Sequence, residues 1–128
     1  MISAFQFSNP ALLKLTFELN DGFNNNGEIE IEIKNDVEIS PGPEKDSSIV
    51  VLKLTIGKKD DSAPFYIYAE ECAAFRWDSK VIDDLHKEKL LKQNAPALLL
   101  SYLRPTISVI TSASPFDAYD IPFMNFTE

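Results

Sequence analysis

The sequence predicts an α+β domain in which a four-stranded antiparallel sheet, joined as a meander, packs against C-terminal helices. Two observations carry this. Up to about residue 77 apolar side chains recur at every second position in runs divided by turn-forming stretches, and beyond it they recur at every third and fourth. The links between runs are mostly of hairpin length, which favours neighbouring strands that pair antiparallel. At 128 residues the chain suffices for a single domain, 1–128, with one modest core.

The first strand is read from Leu13, Leu15, Phe17 and Leu19 on one side and Lys14, Thr16 and Glu18 on the other. Asn24-Asn25-Asn26-Gly27 suits the positive φ angles of a tight turn, and the EIEIEIK run then puts Ile29, Ile31 and Ile33 inward with Glu28, Glu30 and Glu32 outward, so these two strands are expected to form a hairpin. Residues 35–48, with two prolines and a glycine among polar residues, are expected to be a surface connection and a candidate mobile loop. A third strand runs from Ile49 to Ile56, and a fourth begins at Pro64 after the turn GKKDDSA.

After Phe75-Arg76-Trp77 the period becomes helical. Val81, Ile82 and Leu85 fit a first helix, with Asp78 or Ser79 available as N-cap and an end near Gln93-Asn94. Ala95, Leu98, Leu99, Tyr102, Leu103, Ile107 and Ile110 form the apolar stripe of a second, expected to kink or break at Pro105, because proline leaves the carbonyl four residues earlier without its usual partner at a cost of about 3 kcal/mol. Within it, PALLLSYLR ends in Arg104, a charge that needs a partner if it is buried. The closing FDAYDIPFMNFTE is aromatic without a regular period, and is expected to be an extended apolar arm.

A net charge of −8 disfavours nucleic acid and anionic membranes, and no stretch approaches the roughly 18 apolar residues of a membrane span. The N-terminal MISAFQFSNP lacks the basic and apolar regions of a signal peptide, and Cys72 alone can form no internal disulfide, so a cytoplasmic location is expected and Asn125-Phe126-Thr127 is not taken as a glycosylation acceptor.

Catalysis finds no constellation to rest on. His86, in DDLHKEK, reads as a solvated surface histidine, and one histidine with one cysteine falls short of a zinc site, so no metal is expected. Cys72 reads as a small buried residue. Glu70 and Glu71, adjacent on a strand, must point to opposite faces, while Asp60-Asp61 and Asp83-Asp84 read as solvated. The four glycines make no phosphate loop, so no nucleotide or other cofactor is expected. What stands out is a surplus of aromatic and sulfur-bearing side chains, including Phe65, Tyr66, Tyr68, Phe75, Trp77, Phe116, Tyr119, Phe123, Met124 and Phe126. They are either core plus an oligomer interface, or a groove for apolar peptide segments.

The strand pattern followed by PALLLSYLR and then IPFMNF resembles the bacterial export chaperone family SecB. The family's helix motif is approximately Pro-x-x-Leu-Phe-Pro-Tyr-x-Arg. Pro96, Leu99, Tyr102 and Arg104 fall in register with it, Leu100 standing for the phenylalanine and Ser101 for the second proline. The late motif, approximately Leu-x-Pro-Ile-Asn-Phe, is matched by Ile121, Pro122, Met124, Asn125 and Phe126.

The resemblance implies a holdase that works without ATP, binding unfolded polypeptide clients and carrying out no chemistry. Phe65, Phe75, Trp77, Leu100, Phe123 and Met124 are expected to bind clients, and Leu99, Tyr102, Arg104 and Ile107 to lie between subunits of a dimer of dimers. A role in protein export, or one serving a toxin–antitoxin or phage partner, is implied, with an oligomeric adaptor that binds no client as the alternative. In the family a C-terminal tail contacts the motor SecA through zinc, and the sequence ends at Thr127-Glu128 without such ligands, so SecA is expected to bind weakly or not at all.

Overall fold

The computed structural model describes residues 3–24 and 30–127. It is an antiparallel sheet covered on one face by a helical segment: β1 (Phe5–Phe7), β2 (Ala11–Leu19), β3 (Ile33–Pro41), β4 (Ser47–Gly57) and β5 (Phe65–Trp77), then α1 (Asp84–Lys89) and α2 (Ala95–Ser112). The strands β3, β4 and β5 form a meander, and β1 and β2 both join the far side of β5. At 13 residues β5 is long enough to take them end to end, β1 on Phe75–Trp77 and β2 on Phe65–Cys72.

The expected first hairpin is therefore corrected. The strand starting at Ala11 pairs with β5, residues 30–32 belong to no strand, and residues 25–29 lie outside the described residues. The hairpin that exists is β3–β4, and most of the stretch expected to be a surface loop is strand β3. The physical reason is that an edge strand needs little apolar residue: Ile33, Val37 and Ile39 face the covered side, opposite Ile56, Leu52 and Val50, while Lys34, Asp36 and Glu38 face out and discourage edge-to-edge pairing. Pro41 sits at its end, where a missing N–H costs least. The turn is closed by Gly42 N–H donating to the Ser47 carbonyl at 3.0 Å, with Asp46 in the left-handed region at φ 57°. Gly57, at φ 75°, is required as glycine, since a Cβ there would lie 2.1 Å from the Phe65 carbonyl oxygen.

Strand β2 carries a bulge. Leu12 opposes Glu71 and Lys14 opposes Glu70, leaving Leu13 as the extra residue. The bulge shifts the alternation by one, so Leu12 shares the covered face with Leu15, Phe17 and Leu19.

The helical segment runs without interruption from Asp84 to Ser112, one π-helical turn at Leu90–Asn94 joining α1 to α2. In it Ala95 N–H reaches five residues back to the Leu90 carbonyl, immediately before Pro96. The N-cap is Asp83 and not Asp78 or Ser79: its Oδ1 accepts the His86 N–H at 2.8 Å, while Asp78 closes the preceding turn through its carbonyl to the Val81 and Ile82 N–H groups. Nor does Pro105 end α2. Ser101 and Pro105 both lie on its exposed side, where water can take the unpartnered carbonyl.

Between the layers Val50, Leu52, Leu54 and Ile56 of β4 and Phe65, Ile67, Ala69, Ala73 and Phe75 of β5 pack with Leu99, Leu100, Leu103 and Ile107 of α2. No described helix is long and apolar enough to cross a membrane. Replacing fully buried Leu103 by alanine is expected to destabilise the fold by about 2–5 kcal/mol, whereas Lys89→Ala on the exposed side of α1 should change stability by less than about 0.5 kcal/mol, both read from denaturant unfolding.

Candidate functional surface

The sequence-predicted residues divide by burial. Phe65, Phe75, Leu99, Leu100 and Ile107 are core side chains. The period that marks them as apolar also turns them inward. Trp77 and Met124 are half-buried and pack against the core, Tyr102 and Arg104 are exposed on α2, and Phe123 is 91% exposed. The structure therefore does not bring the expected client-binding set together on one surface.

A different apolar set lies along the β1–β2 edge. Helix α2 packs over β4 and β5, so the covered-face side chains of β1 and β2 are incompletely roofed. Phe7, Leu12, Leu13 and Leu19 are exposed there, Leu13 by 56% because the bulge displaces it from the pleat. Phe7 tilts on Phe75 at 6.2 Å and meets the Tyr102 ring edge-on at 6.5 Å, and Phe5 stacks on Phe75 at 5.5 Å. Next to them a cavity of about 280 Å³ is lined by Phe7, Ser8, Phe75, Arg76 and the β3–β4 turn residues Pro43 and Glu44. Two leucines in succession before an alternating run were the available signal, since neighbours on a strand cannot both face inward.

Glu71 lies on the same face. It shares the pleat side of Ala69 and Ala73, stands between Leu12 of β2 and Leu52 of β4, and is only 6% exposed. It accepts no hydrogen bond from a described residue, and burial raises its pKa above the ordinary carboxylate value. Among the described residues no side-chain oxygen is both sealed from solvent and unpartnered, so its carboxylate keeps a route to water.

The opposite face is polar and laced with charge. Tyr68 Oη donates to Glu70 at 2.5 Å, Lys53 pairs with Glu38 at 2.7 Å, and the Arg76 Nε donates to Gln6 at 2.9 Å. The Lys14 and Lys59 ammonium groups lie 5.5 and 4.8 Å from the ring centres of Tyr68 and Tyr66. Cys72, half-buried on this face, has its thiol pushed up by burial and the nearby Glu71 charge, which disfavours the reactive thiolate. His86 Nδ1 lies 2.8 Å from its own N-cap, Asp83, whose pKa is lowered chiefly by the His86 backbone N–H.

Arg104 has its partner in the C-terminal arm: its Nε donates to the Ile121 carbonyl at 2.9 Å. Tyr119 N–H donates to Thr111 Oγ1 at 2.7 Å, Ile121 is fully buried, and Phe116 and Tyr119 meet Phe65 edge-on at 6.3 and 6.1 Å.

No family model matches the chain. It is 29% identical over 125 residues to the uncharacterized protein MJ0357 of Methanocaldococcus jannaschii, which covers 95% of this chain and 79% of that protein. Among solved structures, the Mycobacterium tuberculosis SecB-like chaperone Rv1957, in complex with a ChAD peptide from the antitoxin HigA1, superposes with a TM-score of 0.70 at 10% identity, covering 95% of this chain and 88% of that one. A Streptococcus agalactiae protein of unknown function superposes with a TM-score of 0.54 at 14% identity, over 93% and 97%. The fold is thus SecB-like, as the motifs around Pro96–Arg104 and Ile121–Phe126 imply.

Glu71 yields a pH test. A carboxyl with a raised native pKa binds protons more readily folded than unfolded, so stability falls as pH rises from the ordinary glutamate value, about 4.3, through the native one. Glu71→Gln should therefore stabilise the protein at pH 7, with the gain vanishing below about pH 4, in thermal unfolding followed across pH.

Proposed function

We propose that this protein is a holdase that works without ATP, receiving non-native polypeptide segments on the apolar β1–β2 edge of a SecB-like fold. The observation that carries the reading is the row of exposed Phe7, Leu12 and Leu13, bordered by Tyr102, at one edge of the sheet. Aromatic rings bury much area with few rotatable bonds to freeze, and leucines at a bulge present themselves without a fixed partner, which suits varied clients. Half-buried Trp77, opposite Phe5 of β1 and with Lys87 Nζ 5.5 Å from its ring centre, extends this apolar surface.

The chaperone–antitoxin-peptide complex formed by the Mycobacterium neighbour supports polypeptide binding in particular, and favours a second reading in which one dedicated antitoxin-like segment is the natural client. The two separate on the number of unrelated denatured proteins held. The purified chain should delay aggregation of several chemically denatured clients with no nucleotide and no SecA present. Phe7→Ser with Leu13→Ser should weaken holding several-fold while thermal unfolding stays cooperative. Undiminished holding would move the client surface elsewhere, and absence of holding for every client would end the reading.

Assembly is part of the proposal. Tyr102, Pro105 and Val109 recur at three and four along the exposed side of α2, and form a stripe suited to a second helix. Of the expected interface residues, Tyr102 lies on this stripe and Arg104 borders the arm. Sedimentation should show an oligomer at micromolar concentration that Tyr102→Asp with Val109→Asp converts to monomer; a wild-type monomer would remove the assembly.

A further inference from the structure

From Pro115 to Thr127 the chain makes no backbone-to-backbone hydrogen bond among the described residues and forms neither helix nor strand. Its contacts with α2 include two hydrogen bonds with side chains of that helix, Arg104 Nε donating to the Ile121 carbonyl and Thr111 Oγ1 accepting from the Tyr119 N–H. Between and beyond them it is held by apolar insertion. Ile121 is fully buried and Phe126 nearly so, while Phe123 between them points to solvent. Where the arm begins, a cavity of about 430 Å³ remains against the sheet, lined by Ile31, Pro64, Phe65, Phe116 and Tyr119. Side chains turned inward, a backbone caught by isolated polar groups and no strand register are what a core surface needs to hold an extended segment that is not its own.

We propose that the trough beneath this arm is an interaction surface occupied in cis. The partner that fits it is an extended apolar segment of another polypeptide with two large anchors five residues apart, as Ile121 and Phe126 are. The inference rests on the holdase reading and adds a second client surface to it. Such a segment takes the place of residues 119–126, the arm swings away at Ser114, and Phe65 is uncovered. Because the arm is tethered, it competes at high effective concentration, and affinity in trans is reduced by the fraction of time the arm is seated. Weakening the latch therefore raises affinity for the outside segment. The anchors are where the latch alone can be weakened, because Arg104 and Thr111 would hold an outside segment by the same bonds that hold the arm, whereas Ile121 and Phe126 belong to the arm.

The test titrates a labelled peptide of residues 114–127 (SPFDAYDIPFMNFT) into the full chain and into Ile121→Ala and Phe126→Ala, which loosen the arm and leave the trough unchanged. Both variants should bind the peptide at least about ten-fold more tightly than wild type, as expected for loss of one apolar anchor that holds the arm. Hydrogen exchange at the amides of residues 119–126 should accelerate by a similar factor, with unfolding still cooperative. A peptide with serine at both anchors should bind none of them. Should one variant fail to fold, the other carries the comparison. Equal affinity in variant and wild type, or peptide binding with exchange at residues 119–126 unchanged, would overturn the proposal. If denatured clients are held but the peptide is not bound by any form, this inference falls and the holdase reading stands; if neither is bound, both fall.

Discussion

The pleat of β5 is the constraint on which the rest of the structure depends. Its alternating side chains put Phe65, Ile67, Ala69, Ala73 and Phe75 under the helical layer and Tyr66, Tyr68, Glu70, Cys72 and Arg76 on the other face. A slip of one residue would exchange the two sets, burying an arginine and two tyrosines and exposing the core. Register is held from both sides, by β4 along nearly the whole strand and by β1 and β2 in succession on the other edge. Ala69 and Ala73 are small on the covered face, and the volume they leave is shared with long side chains of α2 in one core. The same pleat carries Glu71 into that core, where two small neighbours on its own strand leave room for it. An unpaired carboxylate is poor for stability there, and only the incomplete roof over the β1–β2 edge lets it reach water.

Which parts of this were legible in the sequence follows from the range of the forces involved. Alternation and helical spacing are local, so the strand character of β2, β4 and β5, the helix across Pro96–Arg104 and the irregular apolar arm could be read directly. Pairing is not local. Nothing near Ala11–Leu19 says that its partner lies some fifty residues on, because that choice is made by the length of β5 and by the space β1 leaves on it. Strand β3 was hidden for another reason: as an edge strand it keeps three apolar residues on one side, and its polar residues, Pro41 and Gly42 outweigh them in composition. For the candidate surface the difficulty is deeper. Side chains that stand out by regular period, such as Leu99 and Ile107, are those the fold consumes. The ones left for a partner break the period, as Leu13 does at a bulge and Phe123 does between two anchors of the arm.

The question raised by PALLLSYLR is answered by three consecutive residues. At about 100° per residue, Tyr102, Leu103 and Arg104 must leave the helix in three directions. Leu103 goes straight down into the core, Tyr102 toward Phe7 on the β1 edge, and Arg104 to the opposite flank, where it takes the Ile121 carbonyl. The arginine ends the apolar run because that flank faces a backbone and not a core, and its exposed position spares it the desolvation that a buried guanidinium would suffer. Pro105 follows on the remaining side, the one direction in which neither sheet nor arm needs the helix and a bare carbonyl can be hydrated. Sheet packing, edge surface and arm latch are therefore fixed relative to one another by the helix repeat alone. A single residue inserted before Tyr102 would rotate all three away from their partners together, whereas point substitutions at Tyr102, Leu103 and Arg104 act on edge, core and arm separately.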